Sequence, residues 1–87
     1  MGRTGENIIC SVGVQEEMRI LPDFRDFATK SIMRFMAGAW GMVEPEDAAH
    51  NNKNPQAAIG AYMYQDEIKV YIKAEGAHLR VFLPEEC

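Results

Sequence analysis

The stretch Ile59-Gly60-Ala61-Tyr62-Met63-Tyr64-Gln65-Asp66-Glu67-Ile68-Lys69-Val70-Tyr71-Ile72-Lys73 alternates between two residue sets on either side of a polar break. A period of two is the mark of strands that bury one face. A second break, Ala74-Glu75-Gly76-Ala77, leads into His78-Leu79-Arg80-Val81-Phe82-Leu83, which alternates in the same way. Residues 57–64, 67–73 and 78–83 therefore read as the three strands of an antiparallel meander. The tightest connection is a two-residue turn at Gln65-Asp66, which pairs Tyr62 with Lys69 and Gly60 with Tyr71. A four-residue loop over 74–77 then pairs Tyr71 with Arg80 and Ile68 with Leu83. Ile59, Ala61, Met63, Ile68, Val70, Ile72, Leu79, Val81 and Leu83 fall on one face in this register. The other face takes Tyr62, Tyr64, Lys69, Tyr71, Lys73, His78, Arg80 and Phe82. A slip of one residue would exchange the faces of a whole strand.

The aliphatic face needs a cover, and residues 24–37 supply one. Phe24, Phe27, Ala28, Ser31, Ile32, Phe35, Met36 and Ala39 recur at helical spacing, with Arg25, Asp26, Lys30 and Arg34 on the far side. Asp23 is placed to cap this helix and Gly38 to end it. Residues 7–12 read as a short strand, Val14–Ile20 as a short helix, and Pro45 as the start of a third helix with Glu46 and Asp47 in its first turn. The breaker-rich run Asn51-Asn52-Lys53-Asn54-Pro55 ends it. Trp40, between Ala39 and Gly41, reads as a packing anchor at the core edge. The expected fold is one α+β domain over residues 1–87. It comprises the C-terminal three-stranded antiparallel meander, a short N-terminal strand, the central amphipathic helix over one face, and one or two shorter helices.

The net charge of −4 argues against a generic nucleic-acid binder, which is usually basic. Cys10 and Cys87 fit no metal spacing, and two such thiols suit a reducing cytoplasm. The start, residues 1–6, lacks the apolar core of a signal peptide, and Glu6 breaks the myristoylation pattern. No apolar run approaches the roughly 20 residues that span a bilayer, so no membrane association is expected. Cys87 is expected to be an exposed thiol and Cys10 a small buried apolar residue.

The face carrying Tyr62, Tyr64, Lys69, Tyr71, Lys73, Arg80 and Phe82 is the first candidate binding surface. Aromatics beside cations stack bases and neutralise phosphates, and they also anchor protein interfaces. Glu44, Glu46 and Asp47 form a candidate acidic patch for a basic partner, though acids at a helix start also serve its dipole. His50 and His78 stand apart from other ligand types. No catalytic set, cofactor motif or metal motif is visible, so an enzyme is not expected.

Several stretches resemble a family of small plasmid-related proteins from mobile elements of Firmicutes, some labelled type I restriction subunits. Ser11-Val12-Gly13-Val14, Phe24-Arg25-Asp26-Phe27-Ala28, Gly38-Ala39-Trp40-Gly41, Glu46-Asp47 with Asn51, Ile59-Gly60-Ala61-Tyr62, Lys69-Val70-Tyr71-Ile72 and Val81-Phe82-Leu83-Pro84-Glu85-Glu86 carry the likeness. The chain departs from that pattern at Ala39, where the family usually has Asp, and at Ala74–Ala77, which replaces a longer charged loop. The resemblance implies a mobile-element accessory protein that binds a host protein. An inhibitor of a CRISPR or other defence nuclease is its sharpest form. The alternative is a small nucleic-acid-binding or regulatory protein using the basic–aromatic face. A homodimer paired through an edge strand is a further expectation.

Overall fold

Ser11 is where the chain turns from strand to helix. In the computed structural model, which describes residues 7–86, its backbone N–H donates to Val81 O at 2.9 Å, closing strand β1 (Asn7–Cys10). Its Oγ accepts from Val14 N at 3.2 Å, capping helix α1 (Val12–Ile20). The expected strand over 7–12 is therefore shorter, because Val12 already belongs to the helix. The expectations for residues 1–6 and for Cys87 lie outside the described residues.

Helix α2 (Phe24–Met36) buries Phe24, Ala28, Ser31 and Phe35, the stripe anticipated from its periodicity. Asp23 flanks its start without a side-chain cap. Its end is a Schellman motif: Gly38, at φ +86°, donates to Phe35 O, and Ala39 donates to Arg34 O. Helix α3 (Pro45–Lys53) starts at Pro45 and runs through Asn51 and Asn52 before Asn54 ends it.

Strands β2 (Ile59–Tyr64), β3 (Ile68–Glu75) and β4 (His78–Phe82) pair antiparallel in sequence order. β1 joins β4 in parallel, so the sheet has four strands of mixed direction in the order β1-β4-β3-β2. The antiparallel pairing of β2, β3 and β4 is as expected, but the sheet as a whole is not a three-stranded antiparallel one, because the N-terminal strand extends it in parallel.

The β2–β3 register is also corrected. Ala61 lies opposite Tyr71, Tyr62 opposite Val70 and Gly60 opposite Ile72, one residue from the expected pairing. The loop has three residues, Gln65 and Asp66 taking φ of +50° and +57°, and Tyr64 O accepting from Glu67 N at 2.9 Å. The slip turns Tyr62 and Tyr64 toward the helices and Ile59, Ala61 and Met63 away from them. The reason is area: each tyrosine carries roughly 150–250 Å² to bury, far more than an alanine. Tyr64 packs edge-on to Phe24 and Phe27 at 5.2 and 5.4 Å. Tyr62, 2% exposed, donates its hydroxyl to Ala39 O at 2.5 Å. Between β3 and β4 the pairing shifts by two, Tyr71 lying opposite Phe82, which leaves the faces unchanged. The connection is the tight turn Gly76-Ala77, with Gly76 at φ +65° in the position where type II′ turns favour glycine.

The main core cluster lies between the helices and one sheet face and joins Val70, Ile72, Leu79 and Val81 with Phe24 and Phe35. Two devices close its margins. On the β2 side, Ala61 N donates to Trp40 O at 3.0 Å and Met42 N to Ala61 O at 2.7 Å, so residues 40–42 act as a strap on that edge. On the other side, the Glu86 carboxylate accepts from Ser11 Oγ at 2.5 Å, Gly13 N at 2.8 Å and Leu83 N at 2.9 Å. These hydrogen bonds, Ser11's first, hold its carboxyl below the usual carboxylate range.

Candidate functional site

The alternation of β3 and β4 sends Lys69, Tyr71, Lys73, Arg80 and Phe82 to the face opposite the core, as anticipated. Lys69, Tyr71, Lys73 and Arg80 are half-buried there. Phe82 is only 1% exposed and forms the floor. The Arg80 guanidinium lies 4.4 Å over its ring and Tyr71 packs against it at 5.6 Å. Tyr62 and Tyr64 belong to the core instead, because of the register, and take no part in this surface.

Glu75 is the residue that sequence reasoning missed. It reads as loop in a four-residue connection but lies in β3, two residues after Lys73 and so on the same face. Its carboxylate stands 3.8 Å from Lys73 Nζ and 3.3 Å from Arg80 Nε. The buried Arg80 Nε makes no aligned hydrogen bond there, so the contact is an ion pair only. Lys69 differs. Its ammonium rests 5.3 Å over the Tyr71 ring and joins none of the ion pairs among the described residues.

The acidic patch divides. Glu44, the residue before α3, and Asp47, in its first turn, line an open cleft of about 260 Å³ together with Lys69 and Tyr71. Glu46 is exposed and is not part of that lining. Met42, Val43, Ile59, Gly60 and Ala61 complete the cleft. Gly41, at φ +77°, makes this possible: a Cβ there would come within 2.1 Å of Ala61 O, so only glycine lets the strap lie against β2. Met42, 60% exposed, forms an apolar lip. Members of the two sets singled out separately in the sequence thus meet in one cleft, Glu44 and Asp47 from the start of α3 and Lys69 and Tyr71 from β3.

Elsewhere, titration offers little chemistry. Burial pushes the Cys10 thiol up, which keeps it protonated and unlike a nucleophilic thiolate. Burial also pushes the Tyr62 hydroxyl up to about 12, opposed in part by the Arg34 guanidinium 5.4 Å over its ring. No group of three His, Cys, Asp or Glu side chains suited to a metal occurs among the described residues. No described helix is long and apolar enough to cross a membrane. Comparison with protein-family models, with curated proteins and with solved structures gives no match. The resemblance to mobile-element proteins therefore rests on the motifs quoted above.

Proposed function

We propose that this chain is a non-enzymatic protein-binding module that docks a partner on the open sheet face and its cleft. The observation that carries this reading is the charge balance of the surface. Lys69, Lys73 and Arg80 are interleaved with Glu75 and bordered by Glu44 and Asp47, three cations against three carboxylates. A polyanion gains from a field of one sign and from counterion release. A mixed, half-buried surface with aromatic anchors suits a protein, where charge pattern gives specificity and Tyr and Arg give energy. The nucleic-acid alternative has less support, since Glu75 already engages two of the three cations.

The mobile-element resemblance supplies a partner class, a host defence nuclease whose action the chain would block from the cytoplasm. The test is capture on tagged protein from nuclease-treated bacterial lysate, comparing the native chain with Tyr71→Ala and Arg80→Glu. The proposal expects one or more proteins retained by the native chain and lost with both variants. Recovery of nucleic acid alone without nuclease, and of nothing after it, would move the assignment to the nucleic-acid reading.

A further inference from the structure

We infer that the cleft between α3 and β3 takes a cationic side chain, arginine or lysine, presented by the partner protein, and that Lys69 holds the place of that cation in the free chain. This rests on the reading of the open face as a protein-docking surface. The cleft is small, about 260 Å³, and open, below the range of roughly 300–1,000 Å³ typical of sites that engulf a whole ligand. It is the size of a side chain. Its lining has three chemical parts: the acids Glu44 and Asp47, the aromatic Tyr71, and the apolar Ile59 and exposed Met42.

A long apolar stem ending in a positive head matches all three parts. The stem lies on Met42 and Ile59, and the head sits between two carboxylates and an aromatic face. The ring already holds a cation, since Lys69 Nζ rests 5.3 Å over it. That cation is the unanchored one: Lys73 and Arg80 share Glu75, whereas Lys69 is in no ion pair among the described residues. It can swing away on its flexible stem when a better-placed cation arrives. An anionic ligand would meet two carboxylates beside a single ammonium.

The test is an NMR titration of the ¹⁵N-labelled full chain with the capped tripeptide N-acetyl-Gly-Arg-Gly-amide. The same peptide with citrulline or glutamate in place of arginine serves as control. The expected result is saturating shifts confined to residues 42–47, 59–61 and 69–71, with a Kd on the order of 1–10 mM for so short a probe, and no saturation with either control. Lys69→Gln and Lys69→Met, which remove the resident cation, should each tighten binding at least threefold. Glu44→Gln with Asp47→Asn should weaken it at least fivefold. Equal response to citrulline, saturation by the glutamate peptide, shifts elsewhere, or weaker binding in both Lys69 variants would overturn the inference. The two readings fail separately. Arginine binding in the cleft with lysate capture indifferent to Tyr71→Ala removes the docking reading alone. Capture dependent on Tyr71 without arginine binding removes this inference alone.

Discussion

Asn51 does the work of a strand with one side chain. It sits inside α3, 2% exposed, and its amide both donates to Ile59 O at 2.8 Å and accepts from Ile59 N at 3.2 Å. A polar edge of β2 is thereby satisfied by a helix. Asn51→Ala leaves both backbone groups without partners, at a cost of about 2–3 kcal/mol in urea unfolding. Asn51→Asp should cost a similar amount, because a carboxylate cannot donate to Ile59 O. Glu86 works at the opposite margin. Its folded-state carboxyl titrates below the usual value of 4.5. The stability it contributes is therefore fully present above the unfolded value and lost as pH falls through the lowered one. The difference in stability between the native chain and Glu86→Gln should be constant above about pH 5.5 and shrink in more acid solution, as read from thermal melts across pH. A difference that grows on acidification would contradict this sign.

At the scale of elements, the strap and the hairpins set the geometry. Gly38→Ala places an ordinary residue at φ +86° in open space, costing about 1–2 kcal/mol for the left-handed backbone alone. Gly41→Ala adds a Cβ within 2.1 Å of Ala61 O, so the strap must lift and the cost should exceed that of Gly38→Ala by about 1 kcal/mol or more. Replacing Gln65-Asp66 by Asn-Gly, which tolerates the φ values of +50° and +57° found there, should stabilise the hairpin by about 1 kcal/mol. Urea midpoints of the three variants measure all of this. The same elements mark what the sequence disclosed. Helix α2 was legible because its apolar stripe, far-side charges and Gly38 agree. The faces of β3 and β4 were legible because Ile, Val and Leu alternate there with Lys and Arg. β2 was not, since both its sets are apolar enough to face inward: Ala61 and Met63 compete with Tyr62 and Tyr64, and Gln65-Asp66 carries no glycine to fix the turn. The direction of β1 was hidden because its partner β4 lies some 70 residues away. The cleft was hidden for the same reasons, needing both the β2 register and the position of α3.

Across the whole molecule, that one-residue slip decides the function assigned. With the tyrosines outward, the open face would be a continuous aromatic–basic platform suited to bases and phosphates. With Tyr62 and Tyr64 inward, what remains is a charge-balanced patch around Tyr71 with an acid-walled cleft, suited to a protein. Binding to short single- or double-stranded nucleic acid at low salt should accordingly be absent, as read by fluorescence anisotropy. The most direct test is nitration of the native chain by tetranitromethane, with each tyrosine followed by peptide mapping. Tyr71 should be modified readily, while Tyr62 and Tyr64, 2% and 8% exposed, stay protected until the chain unfolds. Nitration of Tyr62 and Tyr64 as fast as Tyr71 would put them on the open face and contradict the account.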